Sequence, residues 1–345
     1  MSCVTSPVPT TTEAEPEAPE RRRWVPSSLE VLCLVLVLAL VFRDPLTQFF
    51  NVPELRTGST IFVAVCVQAL PFLVFGVLLS GLIAAYVPMS ALRRALPGNS
   101  ALAVPVAGIA GMALPGCECA SVPLSRRLMQ QGVAPAAALT FLLAAPAVNP
   151  IVLVSTAVAF PGEPLMVLAR FLGSFLTAVV MGWLWLRLGK AEWIAERALR
   201  RHEPKAGDSK FAIFAETARH DLVEAGGFLV LGGVTSAALH VIVPGSWMTS
   251  LGGQVVLGVI VMAVLAVVLA LCSEADAFVV ASLSMLPLLP RLVFLVVGPA
   301  VDVKLIAMQA GAFGRPFAAR FAPLTFVVAV LCAVGAGLVV FGGVR

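Results

Sequence analysis

Two stretches of this chain align without a gap: LPFLVFGVLLSGLIAAYVP at residues 70–88 and GGFLVLGGVTSAALHVIVP at residues 226–244. They share Phe72/Phe228, Gly76/Gly232, Ser80/Ser236 and Pro88/Pro244, and the likeness continues downstream. Cys117 falls opposite Cys272, Pro146-Ala147-Val148-Asn149 opposite Pro299-Ala300-Val301-Asp302, and Ala169-Arg170-Phe171 opposite Ala319-Arg320-Phe321. The offset drifts only from 156 (70 to 226) to 150 (170 to 320) while the order is kept. Apolar helices resemble one another by chance, but an ordered set of polar, Pro and Gly matches does not arise that way. The chain reads as an internal repeat.

Composition says in what solvent that repeat lives. The chain has 345 residues, of which 12% are charged and 59% hydrophobic. Soluble domains carry about 25% charged residues, so this chain lacks the polar surface that water would require. Its 28 Gly and 25 Pro suit membrane helices, where neighbours re-satisfy the backbone groups that Pro frees. The fold class is therefore an all-α polytopic membrane protein, and its first partner is the lipid bilayer. The net charge of +4 gives no nucleic-acid signal, because eight of the 23 basic residues lie between Arg187 and Arg219, where they orient the chain. Of seven cysteines, Cys3, Cys33, Cys66 and Cys332 stand alone in a tail or in apolar stretches, so no disulfide framework is expected. The histidines are too scattered for a metal or catalytic cluster.

Residues 1–23 are rich in Pro, Thr and Glu and end in Arg21-Arg22-Arg23. They read as a disordered cytoplasmic tail without the layout of a cleavable signal peptide. Residues 24–50 hold an extra N-terminal transmembrane helix, and repeat 1 then occupies 55–188. A cytoplasmic linker follows at 189–219, and repeat 2 runs over 220–345. Apolar spans near 59–87, 164–188, 221–244 and 317–341 are long enough to cross a membrane. Arg93-Arg94, the 187–219 loop and Arg315 mark the cytoplasmic side, whereas 161–164 and 245–253 carry no basic residue. The two repeats then run in opposite senses. Inverted repeats with interrupted helices are the pattern of secondary transporters in a cell membrane, with the site at mid-membrane where the breaks face each other.

The breaks carry the chemistry. The first reads Leu-Pro-Gly-Cys-Glu-Cys-Ala-Ser-Val-Pro (114–123), and Arg126-Arg127 and Gln130-Gln131 after it are too polar to continue across lipid. A re-entrant hairpin follows, with a turn at Pro115-Gly116 that sets Cys117 and Cys119 towards one cavity. Cys272-Ser273-Glu274-Ala275-Asp276 is the tip of the mirrored hairpin. Long spans at 133–160 and around Pro299 are broken at Pro146, Asn149 and Pro150, and at Pro299 and Asp302. Glu118, Glu274, Asp276 and Asp302 are the acids that fall within these breaks, and an acid at that depth must face protein or water. Thiols with carboxylates suit a soft or borderline cation or a metalloid, which makes Cys117 and Cys119 candidate metal ligands; the carboxylates could equally carry a proton. The plainer roles are structural. Ser273-x-x-Asp276 fits a capping box, Asn149-Pro150 fits an N-cap followed by Pro, and Asp302 would cap its helix and pair with Lys304. Cys272 would serve as small core residue or ligand alike. Arg126, Arg127, Arg170 and Arg320 are expected to snorkel to headgroups or to pair with acids, and His240 to be hydrogen-bonded within its helix.

At these motifs the chain resembles the predicted-permease family of YraQ- and YcgR-like proteins, which includes organoarsenical efflux permeases. The resemblance rests on Gly116-Cys117-Glu118-Cys119-Ala120-Ser121-Val122-Pro123-Leu124, Ala145-Pro146-Ala147-Val148-Asn149-Pro150 and Cys272-Ser273-Glu274-Ala275-Asp276-Ala277-Phe278, and spans roughly residues 55–340. It implies a permease. It also implies export of trivalent organoarsenicals through cysteine coordination, with Cys117 and Cys119 at the positions of the cysteine motif, and a small membrane partner subunit.

The expectation is thus a secondary permease or efflux protein for a thiophilic solute, not an enzyme and without a cofactor. Cys117, Glu118, Cys119, Cys272, Glu274 and Asp276 would bind solute, and the proton gradient would drive the cycle. No Gly-x4-Gly-Lys-[Ser/Thr] loop offers an ATP site. A divalent-metal permease, for zinc as an example, is the competing substrate reading. A membrane thiol–disulfide oxidoreductase and a non-transporting subunit of a membrane complex are the competing classes.

Overall fold

The structure, a computed structural model, describes residues 53–86, 97–112, 118–199, 209–242, 255–273, 275–283 and 286–342. The expected tail, the extra N-terminal helix, and Pro115, Gly116, Cys117 and Glu274 lie outside those residues, as do Arg93-Arg94 and the 245–253 turn. Among the described residues every regular element is helical: α1 (Pro53–Tyr86), α2 (Ser100–Met112), α3 (Glu118–Gln130), α4 (Pro135–Ala147), α5 (Pro150–Ala159), α6 (Pro164–Leu188), α7 (Glu196–Leu199), α8 (Lys210–Ile242), α9 (Val255–Leu269), α10 (Asp276–Ser282), α11 (Leu288–Ala300), α12 (Val303–Phe313) and α13 (Arg315–Phe341). Five spans are long and apolar enough to cross a membrane, two of them formed by α4 with α5 and by α11 with α12. The protein is an all-α polytopic membrane protein.

The succession long helix, two short helices, broken span, long helix occurs once over 53–188 and again over 210–341. Helices α2 and α3 have 13 residues each, about 20 Å of rise against a hydrocarbon layer of about 30 Å. Neither reaches across alone. The broken spans hold the centre: 78% of the Pro135–Ala159 window and 83% of the Leu288–Phe313 window are buried, against 39% for Arg315–Phe341. Val327, Leu331, Leu338 and Val339 of α13 are exposed instead, as a lipid-facing stripe must be.

Each break has a local cause. Pro146 and Pro299 sit in the last turns of α4 and α11, where the ring removes a helical hydrogen bond. The next helix restarts on a side-chain cap: Asn149 accepts the N–H of Val152 at 3.0 Å, and Asp302 accepts that of Leu305. Pro150 then takes the first helical position of α5, where its missing donor costs nothing.

Two glycines set how closely the long helices lie against these centres. A Cβ on Gly76 of α1 would fall 2.5 Å from Ala120 Cα on α3, and one on Gly232 of α8 would fall 2.7 Å from Lys304 Cα on α12. These were matched positions in the sequence alignment, and both need to be glycine for the same steric reason.

One boundary differs from the sequence expectation. The apolar pattern puts a span at 221–244, but α8 already begins at Lys210. Polar residues extend the helix beyond the apolar run, helped by the Arg219–Glu216 pair at 2.8 Å. The 189–219 segment is also less of a free surface than its composition suggests. Ile194 and Ala198 are buried, Gln130 Nε2 at the end of α3 donates to Ala198 O at 3.1 Å, and Ala195 N–H donates to Phe313 O at the end of α12 at 2.8 Å. The C-terminal ends of α3 and α12 therefore lie on the same side, and their N-terminal ends point together into the protein.

Candidate functional site

Those two N-terminal ends meet in an ion pair. Lys304, in the first turn of α12, donates from Nζ to Glu118 Oε1, in the first turn of α3. Lys304 Nζ also lies 4.0 Å from Asp302 Oδ2. All three side chains are inaccessible to solvent. Cys119 and Cys272 are buried too, and both lie within electrostatic range of the same ammonium. The expected pairing of Asp302 with Lys304 is therefore the looser contact, because Glu118 holds the lysine head directly. Of the six residues expected to bind solute, Glu118, Cys119 and Cys272 lie near this cation, together with Asp302 of the second helix break.

A second node lies between α5, α6 and α10. Arg170 is fully buried and donates from Nη1 to Thr156 Oγ1 at 2.7 Å, and from Nη2 to Asp276 Oδ2 at 2.8 Å and to Ser273 O at 3.0 Å. Sequence suggested that Ser273 and Asp276 form a capping box. The N-cap of α10 is Ala275, with no side-chain capping bond, and the Asp276 carboxylate serves Arg170. An uncompensated buried charge costs several kcal/mol, roughly 3–5 when one partner of a pair is removed, against about 1 for a cap. The ion pair wins. Asp276 thus belongs to this node and not to the lysine cluster.

The arrangement crosses the two halves. Helix α3 of the first stretch packs on α12 of the second, and α10 of the second packs on α5 of the first. Glu118–Lys304 and Arg170–Asp276 each join one stretch to the other. The N-termini of α3, α5, α10 and α12 carry Glu118, Asn149, Asp276 and Asp302, where partial positive charge favours an anionic or hydrogen-bond-accepting group.

A third node escaped the sequence reading. Ser80 of α1 donates to Asp221 Oδ2 of α8 at 2.7 Å, and Arg127 Nη2 of α3 lies 3.6 Å from the same oxygen. His220 Nδ1 stands 3.7 Å from Asp221 Oδ1. Next to it Val122, Pro123, Arg126, Asp221 and Met308 line a cavity of about 20 Å³, enough for roughly one water. Asp221 gave no signal in the sequence, because it closes a polar run and sits at no break. Arg170 pairs with an acid rather than snorkelling, and Lys304, expected to pair with Asp302, is held more closely by Glu118. Among the described residues no group of three or more His, Cys, Asp and Glu could hold a metal ion.

Residues 54–338 match the family described as "Predicted permease" (ArsP_1). The chain belongs to this family. The permease is 34% identical over 279 residues to "UPF0718 protein YcgR" of Bacillus subtilis (strain 168), covering 80% of this chain and 94% of that protein. It is 32% identical over 277 residues to the "Putative two-component membrane permease complex subunit" of Streptococcus mutans serotype c, covering 79% and 92%. No solved structure matches the permease. Family and fold together make it a multi-pass membrane transporter.

Proposed function

We propose that this permease is a secondary transporter for a thiophilic solute, of which a trivalent organoarsenical is the type. The observation that carries the reading is that Cys119 and Cys272 are both buried within electrostatic range of Lys304, which Glu118 holds across the two stretches. Cysteines from two different helical segments near one buried point are what a soft, multiply coordinating centre needs. Cys117 stands two residues before Cys119 in the sequence. Lys304 and Arg170 are each held by an acid, so the surroundings suit a neutral group, with helix N-termini favouring hydrogen-bond acceptors. A divalent cation such as zinc would have to displace Lys304 from Glu118, so the metal-permease reading is weaker.

The two stretches act as inverted repeats. Helices α2–α3 and α9–α10 form re-entrant pairs whose tips meet near mid-membrane, and rocking of one repeat against the other exposes the cysteines to each side in turn. The N-terminal tail and the 189–219 segment are cytoplasmic, transport is outward, and the proton gradient drives it. A second small membrane subunit completes the transporter. One relative's name as a subunit of a two-component permease complex supports that reading.

The test uses everted vesicles carrying wild type or Cys117→Ser, Cys119→Ser and Cys272→Ser. Uptake of a monophenyl trivalent arsenical and of zinc is followed with and without a proton gradient. Gradient-dependent arsenical uptake that the serine variants lose is the expected result. Zinc uptake with no arsenical uptake would sink the substrate class. Redox cycling of a Cys117–Cys119 disulfide during turnover would instead favour an oxidoreductase.

A further inference from the structure

The lysine cluster is one charge out of balance. Glu118, Asp302 and Lys304 are all closed to solvent, so two carboxyl groups share one ammonium. Lys304 satisfies Glu118 through Oε1, while Glu118 Oε2 and Asp302 Oδ2 are buried with no hydrogen-bond partner. Asp302 and Glu118 also lie within electrostatic range of each other. Burying a second, uncompensated carboxylate at this depth is costly, and like charges in one site cannot both ionise cheaply. The remedy open to a carboxyl group is a proton.

Among the described residues no other ionisable group facing this point supplies the missing positive charge. Helices α4 and α9 carry no ionisable residue. Arg170 of α6 is committed to Asp276, and Arg127 of α3 to Asp221 of α8. Arg126 lies two turns along α3, lining the small cavity beside Asp221, whereas Arg315 and Arg320 of α13 and the Glu216–Arg219 pair of α8 are exposed. Cys119 and Cys272, the remaining titratable neighbours, would add negative charge on ionising.

The comparison with Asn149 separates this charge from the cap. Asn149 and Asp302 cap α5 and α12 in the same way, each accepting the backbone N–H three residues on. Asn149 also donates from Nδ2 to Ala145 O at 3.0 Å, but the N–H it accepts shows that a neutral amide suffices for the cap, so capping alone does not require the carboxyl at 302. We propose that Asp302 carries the coupling proton of this transporter, on Oδ2, within a Glu118–Asp302 pair that shares Lys304. The proposal rests on the transport reading above. In the state described here Lys304 balances Glu118, and the Asp302 proton removes the second charge. When the O–H bond breaks and the proton leaves to water on the open side, the Asp302 carboxylate competes with Glu118 for Lys304. The ion pair that joins α3 to α12 loosens, and that pair spans the two repeats. Proton loss and inter-repeat movement are thus the same event. The two acids share one ammonium, so the proton belongs to the pair, with Asp302 the member that Lys304 approaches less closely.

The test replaces Asp302 by the residue that already does the capping in the other half. Wild type and Asp302→Asn are purified whole, reconstituted, and compared by infrared difference spectroscopy across a pH titration. Wild type should show the carbonyl band of a protonated carboxylic acid, Asp302→Asn should lose it, and Asp276→Asn, whose acid is balanced by Arg170, should keep it. In vesicles, gradient-driven uptake of a monophenyl trivalent arsenical by Asp302→Asn should fall to the rate without a gradient. An Asp302→Asn protein that keeps the band, or keeps gradient-driven uptake, overturns the assignment. Should wild type move no arsenical, the solute reading fails by itself, and the infrared comparison still decides where the proton sits.

Discussion

Lys304 and Glu118, 186 residues apart, close a buried ion pair between the first turns of two helices that end on the same side of the protein. The pair ties the first stretch to the second at the point where the broken span restarts. Its partners are fully desolvated, so its net contribution is set by compensation rather than by attraction alone.

Removing one partner should therefore do more harm than removing both. Lys304→Met leaves Glu118 buried and unbalanced, and Glu118→Gln leaves Lys304 with Asp302 alone. Thermal unfolding in detergent should show losses of about 3–5 kcal/mol for Lys304→Met. The double variant Glu118→Gln/Lys304→Met should recover a large part of that loss. Additive losses would mean that the two side chains are not coupled in solution.

The Arg170 node tests geometry rather than charge. Its guanidinium reaches Thr156, Ser273 O and Asp276 together, and a lysine ammonium cannot span that fork. Arg170→Lys keeps the charge but should lose about 1–3 kcal/mol, one or two charge-assisted hydrogen bonds. Asp276→Asn should be milder than Asp276→Ala, because an amide still accepts from Arg170. Equal stability of Arg170→Lys and wild type would show that the contacts to Thr156 and Ser273 contribute nothing.

Much of this was legible in the sequence, and the reason is the membrane. A Pro followed by Asn or Asp inside an apolar span marks a break whose cap can be named in advance, and Asn149 and Asp302 do cap α5 and α12. Acids at those breaks had to be buried, and Glu118, Asp276 and Asp302 are. What sequence could not supply was partnership. Which cation serves which acid depends on how α3 crosses onto α12 and α10 onto α5, a tertiary fact that no local spacing encodes. Hence Asp276, which fits a capping box, serves Arg170, and Asp221, which no sequence feature singles out, holds Arg127 and Ser80.

The two packing glycines give a paired steric test. Alanine at Gly76 or Gly232 would press a methyl group against backbone of α3 or α12 at 2.5 and 2.7 Å, and such overpacking costs roughly 1–3 kcal/mol. Gly226 and Gly227 lie in α8 with nothing within 4 Å of an added Cβ. Alanine there should stabilise the helix by about 0.5–1 kcal/mol. Thermal unfolding of the four variants checks the contrast, and a Gly76→Ala protein as stable as wild type would break the proposed close crossing of α1 on α3.

Thiol accessibility tests whether the site is closed at rest. Cys119 and Cys272 are 0% and 2% exposed, whereas Cys66 and Cys332 are partly exposed on the long helices α1 and α13. A small maleimide that enters bilayers should label Cys66 and Cys332 first, and Cys119 and Cys272 slowly. If α3 and α12 separate when the Glu118–Lys304 pair loosens, labelling of Cys119 should rise in Lys304→Met while that of Cys332 stays unchanged. Mass spectrometry of labelled peptides reads both sites in one sample. Rapid labelling of Cys119 in the wild-type protein at rest would mean that the lysine cluster is open to solvent. The buried charge imbalance at Asp302 would then have water to relieve it, and the argument for a bound proton would lose its physical basis.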